Sequence, residues 1–168
     1  VVHVDCGTQA LGGAVHNAAR GRVPVLIYAG LSPATQEGEL KGSRNEFIHF
    51  LQDVRDQRGI VRQYVKYDNE IRTAANLKPI VHRALQLAAS DPKGPAYVVA
   101  AREVMEAEAP EQAIDTNRFA PLGDAALPEA AAGMIAGRLA GAHRPLVVTS
   151  YLGRKPEAVA ELVGFCRR

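Results

Sequence analysis

The fold is indicated most clearly by the stretch Ser90-Asp91-Pro92-Lys93-Gly94-Pro95-Ala96-Tyr97-Val98-Val99-Ala100. It opens with a cluster of turn formers and closes with a short apolar run of the kind found in buried strands. The residues before it predict a helix that begins near Asn76, because apolar side chains recur there at helical spacing. These side chains are Leu77, Ile80, Val81, Ala84, Leu85 and Ala88. A helix followed at once by a turn and a buried strand is typical of a parallel sheet with crossover helices.

Several apolar runs with β-branched side chains predict the strands of this sheet. They cover residues 1–4, 23–29, 60–67, 96–100 and 146–149. A helix is predicted between the first two strands, over residues 10–20. The alternation predicts an α/β fold, a parallel sheet with crossover helices in three layers, like the flavodoxin and Rossmann folds.

The periodicity fails in one segment, residues 106–127, where acidic residues and prolines replace the apolar spacing. We interpret this segment as a linker. It would join residues 1–105, a partial α/β domain, to residues 128–168, the start of a second α/β domain with two helices and one strand. The chain opens in an apolar run without a methionine and stops inside a helical pattern. Both ends are therefore expected to be cut.

Composition excludes several classes of protein. The formal net charge of +2 is small and the charges are interspersed, so nucleic acid is not an expected partner. No apolar run approaches the roughly 18 residues of a membrane helix, so no membrane partner is expected and the protein is predicted to be intracellular. Cys6 and Cys166 have no metal-ligand spacing and are expected to be buried free thiols. The histidines are equally dispersed, and no metal site is expected in this chain.

Two segments are candidates for a binding site. Residues 6–13 are predicted to form a turn between a strand and a helix, where exposed amides favour anions. The alternative is close packing of helix on strand. Residues 30–57 are long for a strand-to-helix connection, which usually has about 2–6 residues, and long loops often carry function. The alternative is a surface excursion pinned by Phe47, Phe50 and Leu51.

The order of these features resembles the pyrimidine-binding domain of thiamine-diphosphate enzymes of the acetolactate synthase-like family. The similar elements are Gly7-Thr8-Gln9-Ala10 before a helix, the strand Pro24-Val25-Leu26-Ile27-Tyr28-Ala29-Gly30, the loop ending in Leu51-Gln52-Asp53, and Gly94-Pro95-Ala96-Tyr97-Val98. In that family these positions hold a Gly-Pro-Gly-Ala turn, a strand, Phe-Gln-Glu and a Gly-Pro-Val strand. Residues 1–105 would be the C-terminal part of that domain, and residues 128–168 the beginning of the family's middle domain.

The resemblance implies that thiamine diphosphate is the cofactor and a 2-keto acid the substrate. The cofactor-binding residues would be Gly7, Thr8, Gly12 and Gln52, and Phe50 and Leu51 would shape the substrate pocket. The catalytic glutamate of the family is expected before Val1, so no catalytic residue is expected in this chain. Mg²⁺ and the diphosphate would be held by a C-terminal domain that the chain does not contain, and FAD is possible in the middle domain.

The resemblance further implies a homodimer or tetramer in the cytoplasm or mitochondrion, active only as the full-length protein. Either carboligation of the acetolactate type or a related lyase reaction fits the motifs. Two other functions stay open. One is a nucleotide- or flavin-binding module, and the other is a non-catalytic homologue that serves as a structural or regulatory subunit. A Gly-x-Gly-x-x-Gly element upstream of Val1 would favour the binding module.

Overall fold

The computed structural model describes residues 1–167. The chain forms two compact units, unit 1 (Val1–Asp124) and unit 2 (Ala125–Arg168). The division lies inside residues 106–127, the segment that the sequence predicts as a linker. Residues 106–124 belong to unit 1, in which the guanidinium of Arg83 lies 5.2 Å from the centre of the Phe119 ring.

Unit 1 contains a parallel sheet of three strands in the order β1-β3-β2. Strand β1 spans Leu26–Leu31, β2 spans Tyr67–Ile71 and β3 spans Ala96–Ala101. In the middle of the sheet, Val98 of β3 pairs with Tyr28 on one side and with Asn69 on the other. Every residue of β3 is buried, as expected for the central strand of a parallel sheet. The predicted α/β fold with a parallel sheet is confirmed.

Helices cover both faces of this sheet. Helix α1 spans Val4–Ala10 and α2 spans Gly12–Arg20, and Val15 of α2 packs with alternate residues of β1 and β3. Helix α4, Leu77–Ala89, packs on the opposite face. The apolar core of that face consists of Ile71, Ala84, Ala88, Ala96, Val98 and Ala100. The expected three-layer arrangement is present in unit 1.

The inner face of α4 is narrower than the sequence pattern predicts. Ile80, Val81, Ala84 and Ala88 pack on the sheet as expected, but Leu77 and Leu85 are exposed. At the end of α4, the Nζ of Lys66 donates hydrogen bonds of 2.7 Å to the carbonyls of Leu87 and Ser90. Burial lowers the pKa of Lys66, against the opposing effect of Asp91. Lys66 thereby satisfies carbonyls that the helix itself leaves without partners.

Two short helices complete unit 1 and two longer ones form unit 2. Helix α3 spans Ile48–Leu51 and α5 spans Arg102–Glu106. Helix α6 spans Glu129–Ala140 and α7 spans Pro156–Cys166. Further turns of 3-10 helix are found at Arg58–Ile60, Ala74–Asn76, Thr116–Phe119 and Leu152–Arg154.

The predicted first strand, residues 1–4, is wrong. Only Val2 pairs with the sheet, through one bridge to Ala29, and helix α1 already begins at Val4. Residues 6–13 are therefore helical apart from the junction at Leu11, and they do not form the predicted strand-to-helix turn. An acidic residue in the first turn, Asp5, favours the N-terminus of a helix at this position.

The predicted strand over residues 60–67 is displaced. Strand β2 begins only at Tyr67, and the residues before it form turns. Ile60, Val61 and Val65 pack over the outside of the sheet, in the cluster around Val15. These residues are apolar because they cover one face of the sheet, not because they belong to a strand. The polar residues of β2 are tolerated because β2 lies at the edge of the sheet.

The predicted strand over residues 146–149 is also wrong. In the described part of unit 2 these residues have no regular secondary structure, and Leu146 and Val148 are exposed. A strand requires hydrogen bonds from a neighbouring strand, and none lies in that part of the chain. No described residue of unit 2 is buried, as expected for so few elements.

Both cysteines are free and exposed, so the prediction of buried thiols is wrong. Helix α1 buries Val4, Asp5 and Thr8. Cys6 lies between these positions and points to the outer side of the helix. Cys166 is the last residue of α7, a helix without buried residues.

Candidate functional site

The candidate functional site is a cavity of about 530 Å³ at the carboxyl ends of the strands, the carboxyl-edge cavity. Ligands of open α/β sheets characteristically bind outside this end of the strands. The cavity is reached by all three strands, through Leu31 of β1, Glu70 of β2 and Val99 of β3. Its other lining residues are Ser32, Arg44, Asp53, Val54, Arg55, Asp56, Gln57 and Arg58.

One wall of the cavity belongs to the edge loop, residues 32–53, and this loop is organised around Arg44. The Arg44 side chain donates to the carbonyls of Pro33 (2.7 Å) and His49 (2.6 Å) and forms an ion pair with Asp53 at 2.5 Å. Its guanidinium also lies 5.2 Å from the centre of the Phe50 ring. Only 14% of the Arg44 side chain is exposed. A single residue thus joins the beginning of the edge loop to its end.

The edge loop is also anchored to helix α5, directly after β3. The backbone amide and the hydroxyl of Thr35 both donate to Oε1 of Glu103, at 2.8 and 2.6 Å. Gly42 approaches the backbone of Arg102 and Glu103 so closely that a Cβ at position 42 would lie 3.0 Å from their atoms. These contacts fix the loop against the end of the central strand.

Hydrogen bonding controls the charge of Glu103. Burial alone would raise the pKa of Glu103, but the hydrogen bonds from the Thr35 hydroxyl and amide outweigh it and hold that pKa below its ordinary value. The carboxylate is therefore ionised at neutral pH. Its other oxygen, Oε2, is buried without a hydrogen-bond partner among the described residues.

We expect Glu103 to make the stability of unit 1 sensitive to acid. Because the folded pKa is depressed, the stabilisation is complete above the unfolded pKa, near 4.3 for glutamate, and is lost as pH falls through the folded value. Glu103→Gln keeps an acceptor for Thr35 but cannot titrate. In urea unfolding between pH 6 and roughly pH 3, the variant should lose less stability than the wild type. The control is Glu108→Gln, at an exposed glutamate; equal acid sensitivity in the Glu103 variant and the wild type would contradict the assignment.

A buried hydrogen-bond network lies behind the cavity. Thr8 Oγ1 donates to the carbonyl of Val4 at 2.7 Å, so its single hydrogen is used there. The Tyr97 hydroxyl, 2.7 Å from Thr8 Oγ1, must then donate to it. Gln57 Nε2 donates to the Tyr97 hydroxyl (3.1 Å) and to the carbonyl of Gly30 (2.7 Å). The network links α1, β1 and β3 to the cavity wall.

None of the six residues predicted for cofactor and substrate binding lines the carboxyl-edge cavity. Thr8 is completely buried in the network just described. Gly7 lies in α1, where a Cβ would come within 3.1 Å of Val2. Gly12 is the exposed first residue of α2, with open space around it. Their roles in cofactor binding stay predictions.

The other three predicted residues lie in and after α3. Phe50 and Leu51 are exposed, and Gln52 is the partly exposed C-cap of the helix. Asp53, the next residue, lines the carboxyl-edge cavity. The structure thus brings the predicted loop motif to the border of the cavity, and binding by these three side chains stays a prediction.

Sequence reasoning assigned no individual role to any of the polar residues that line the cavity, and Ser32, Arg55 and Glu70 show why. Ser32 follows the carboxyl end of β1, a position that the rule for open α/β sheets could have singled out. Glu70 was hidden by the displaced assignment of β2. Arg55 lies in a run of alternating charges and carries no local signal that distinguishes it from its neighbours.

Most charges of the cavity are neutralised within the protein. Asp56 is hydrogen-bonded by Arg62 at 2.6 and 3.0 Å, and this bond, with a backbone amide bond from Gly59, lowers the pKa of Asp56. Arg58 pairs with Asp68 at 3.1 Å. With Arg44 bound to Asp53, most of the cavity's charged groups have partners close by.

Two charged groups of the cavity are different. Arg55 has no hydrogen-bond or ion-pair partner among the described residues. Glu70 has a single ion pair, at 3.5 Å, with Arg72, whose side chain is 73% exposed. Such an exposed pair contributes little. Arg55 and Glu70 are therefore the charges that a ligand in this cavity would meet.

No protein-family model matches the sequence, and no curated protein matches it. Within residues 1–167, none of the helices combines the length and apolar character that crossing a membrane requires. The same residues contain no group of three or more His, Cys, Asp or Glu side chains arranged to hold a metal ion.

Proposed function

We propose that this chain is part of a thiamine-diphosphate-dependent enzyme that acts on a 2-keto acid. The observation that carries the proposal is the course of the edge loop. It leaves β1 at the carboxyl end of the sheet and returns with Leu51-Gln52-Asp53 at the border of the carboxyl-edge cavity. The family motif that it resembles occupies the corresponding loop, and the parallel sheet supports the same comparison.

The chain would provide one side of the cofactor site. Gly12 fits this role because nothing lies within 4 Å of its Cβ position, so that a flat ring could approach the backbone. Gln52 fits because its side chain is partly exposed beside the cavity. The Thr8 hydroxyl fits less well, because its hydrogen bonds are made to Val4 and Tyr97. When bound, thiamine diphosphate supplies an electron sink for the carbanion formed from a 2-keto acid.

The remaining parts of the proposal follow from the resemblance alone. Phe50 and Leu51, both exposed, would shape the substrate pocket once a second subunit covers them. The partner would be another copy of the protein, in a dimer or tetramer. Mg²⁺ and the diphosphate would be held outside this chain, with FAD as a possible further cofactor, and the compartment would be the cytoplasm or mitochondrion.

The experiment is a titration of the full open reading frame with thiamine diphosphate and Mg²⁺, followed by an assay of pyruvate consumption. We expect saturable binding of the cofactor and turnover of pyruvate or another 2-keto acid. Gln52→Ala should lower kcat/KM by roughly 10- to 100-fold, as expected for the loss of a hydrogen bond to a charged group. The matched control is Gln63→Ala, at an exposed glutamine outside the cavity.

The outcomes separate the proposed enzyme from the other functions. Absence of thiamine diphosphate binding by the full-length protein would overturn the proposal. Saturable binding of a nucleotide or flavin without thiamine diphosphate would point instead to a binding module. Cofactor binding without turnover of any 2-keto acid would favour the non-catalytic homologue. Equal kcat/KM for the Gln52 variant and the Gln63 control would contradict the role of Gln52.

A further inference from the structure

Two polar groups of the carboxyl-edge cavity lack partners in the protein. The Ser32 residue is 8% exposed, and its hydroxyl forms no hydrogen bond with the described residues. Buried hydroxyls are nearly always hydrogen-bonded, so an unpartnered one requires an explanation. Arg55 lines the same cavity and is also without a partner among the described residues. Arg55 is an exposed residue whose guanidinium is open to a ligand. The Ser32 hydroxyl is buried in the wall of the cavity and reaches a ligand only after rotation of the side chain about its Cα–Cβ bond.

These two groups select the charge and shape of the ligand. A guanidinium binds planar anions through two parallel hydrogen bonds, and a hydroxyl can donate a third. The remaining wall is partly apolar, since Leu31, Val54 and Val99 line it. A volume of about 530 Å³ suits a small molecule. A carboxylate on a short apolar body satisfies all of these conditions.

We propose that the carboxyl-edge cavity recognises the carboxylate of a small acid, with Arg55 as its cation and Ser32 as a hydrogen-bond donor. The choice of a 2-keto acid as this molecule rests on the proposed function. The assignment of the two residues rests on their positions and on their missing partners. Arg55 and Ser32 would thereby orient the substrate without taking part in bond changes.

The other charged groups of the cavity account for its selectivity. Arg44 and Arg58 already pair with Asp53 and Asp68, so they contribute little free positive charge. Glu70 carries the weakly paired negative charge. Its presence disfavours dianions such as phosphate relative to a monocarboxylate, because each additional negative charge is repelled. Removal of the Glu70 charge should therefore strengthen the binding of a carboxylate.

The test is a titration of the isotopically labelled chain with pyruvate, monitored by NMR through the amide signals of residues 31–32 and 53–58. We expect saturable shifts at these residues and none with pyruvamide, which lacks the carboxylate. Arg55→Gln should weaken binding at least about tenfold, and Arg55→Lys should weaken it less, because lysine keeps the charge but not the planar fork. Ser32→Ala should weaken binding several-fold, and Glu70→Gln should strengthen it.

A matched control is Arg118→Gln, at an exposed arginine outside the cavity. Opposite effects of the Arg55 and Glu70 variants cannot arise from misfolding. Equal binding of pyruvate and pyruvamide, unchanged affinity in Arg55→Gln, or a preference for inorganic phosphate over pyruvate would each overturn the proposal. Thiamine diphosphate is absent from this titration. Absence of pyruvate binding in this titration would not contradict the proposed thiamine-diphosphate enzyme. Absence of cofactor binding by the full-length protein would not contradict the binding of a carboxylate in the cavity.

Discussion

Gly42→Ala is expected to lower the free energy of unfolding of unit 1 by about 2–4 kcal/mol. Two effects combine at this position. The backbone has φ of +86°, a conformation that alanine adopts only with strain. The added methyl group would also lie 3.0 Å from three backbone atoms of Arg102 and Glu103. Because these are backbone atoms next to β3, they cannot move aside as a flexible side chain would.

The matched control for Gly42→Ala is a substitution at Gly38, in the same loop. Gly38 has φ of +85°, yet nothing lies within 4 Å of its Cβ position. Gly38→Ala should therefore show the backbone strain alone, about 1–2 kcal/mol. Urea unfolding of both variants isolates the cost of the contact with α5. If the two substitutions destabilise the protein equally, the close approach of Gly42 to α5 contributes nothing.

Arg44→Met is the second substitution with a large expected effect, about 2–3 kcal/mol of stability. It removes the donors for the Pro33 and His49 carbonyls and leaves Asp53 without its cation. The methionine fills a similar volume, so the loss reports on polar contacts. The edge loop should also become more mobile, since Arg44 joins its two ends.

Hydrogen exchange of the amides in residues 32–53 measures this mobility directly. We expect faster exchange there in Arg44→Met and unchanged exchange in β3. Arg72→Met is the control, because the Arg72 side chain is 73% exposed and pairs with Glu70 only at 3.5 Å. It should change stability by less than about 0.5 kcal/mol. Protection of the edge loop equal to that of the wild type would mean that Arg44 does not hold it.

The parts of the fold that follow from local pattern were predicted well. Helix α4 begins after Asn76 and leads through a turn into β3, as the sequence indicates. Helical spacing and a continuous apolar run are properties of neighbouring residues, so they can be read without the rest of the chain. Leu77 and Leu85 are exceptions, because the width of the covered face depends on the sheet.

Other parts of the fold depend on contacts between distant segments of the chain, which a local sequence pattern does not contain. The apolar run at Val1–Val2 becomes one bridge and the start of a helix, and Ile60 and Val61 cover the sheet. A run of apolar residues shows that they will be buried but not whether a strand or a turn carries them. The segment 146–149 lacks a neighbouring strand in the described part of unit 2, so its strand propensity has no effect.

The lining of the carboxyl-edge cavity could not be predicted residue by residue. The length of the connection after β1 drew attention to residues 30–57, and several residues of that segment line the cavity. Ser32 and Arg55 differ from other serines and arginines of the cavity region only in that their side chains lack a hydrogen-bond or ion-pair partner among the described residues. Arg44, Arg55 and Arg58 look alike in the sequence. Tertiary structure decides that Arg44 pairs with Asp53 and Arg58 with Asp68, and that Arg55 has no ion-pair partner among the described residues.

The strand order has a consequence for the biosynthesis of the protein. In the described chain, β1 and β2 pair with β3 and not with each other. The ribosome produces β3 last, so neither earlier strand can find its hydrogen-bonding neighbour until about residue 101 has emerged. Nascent chains that stop before Ala96 would carry two unpaired strands, which are natural targets for chaperones. Completion of β3 is thus the event that commits unit 1 to its sheet.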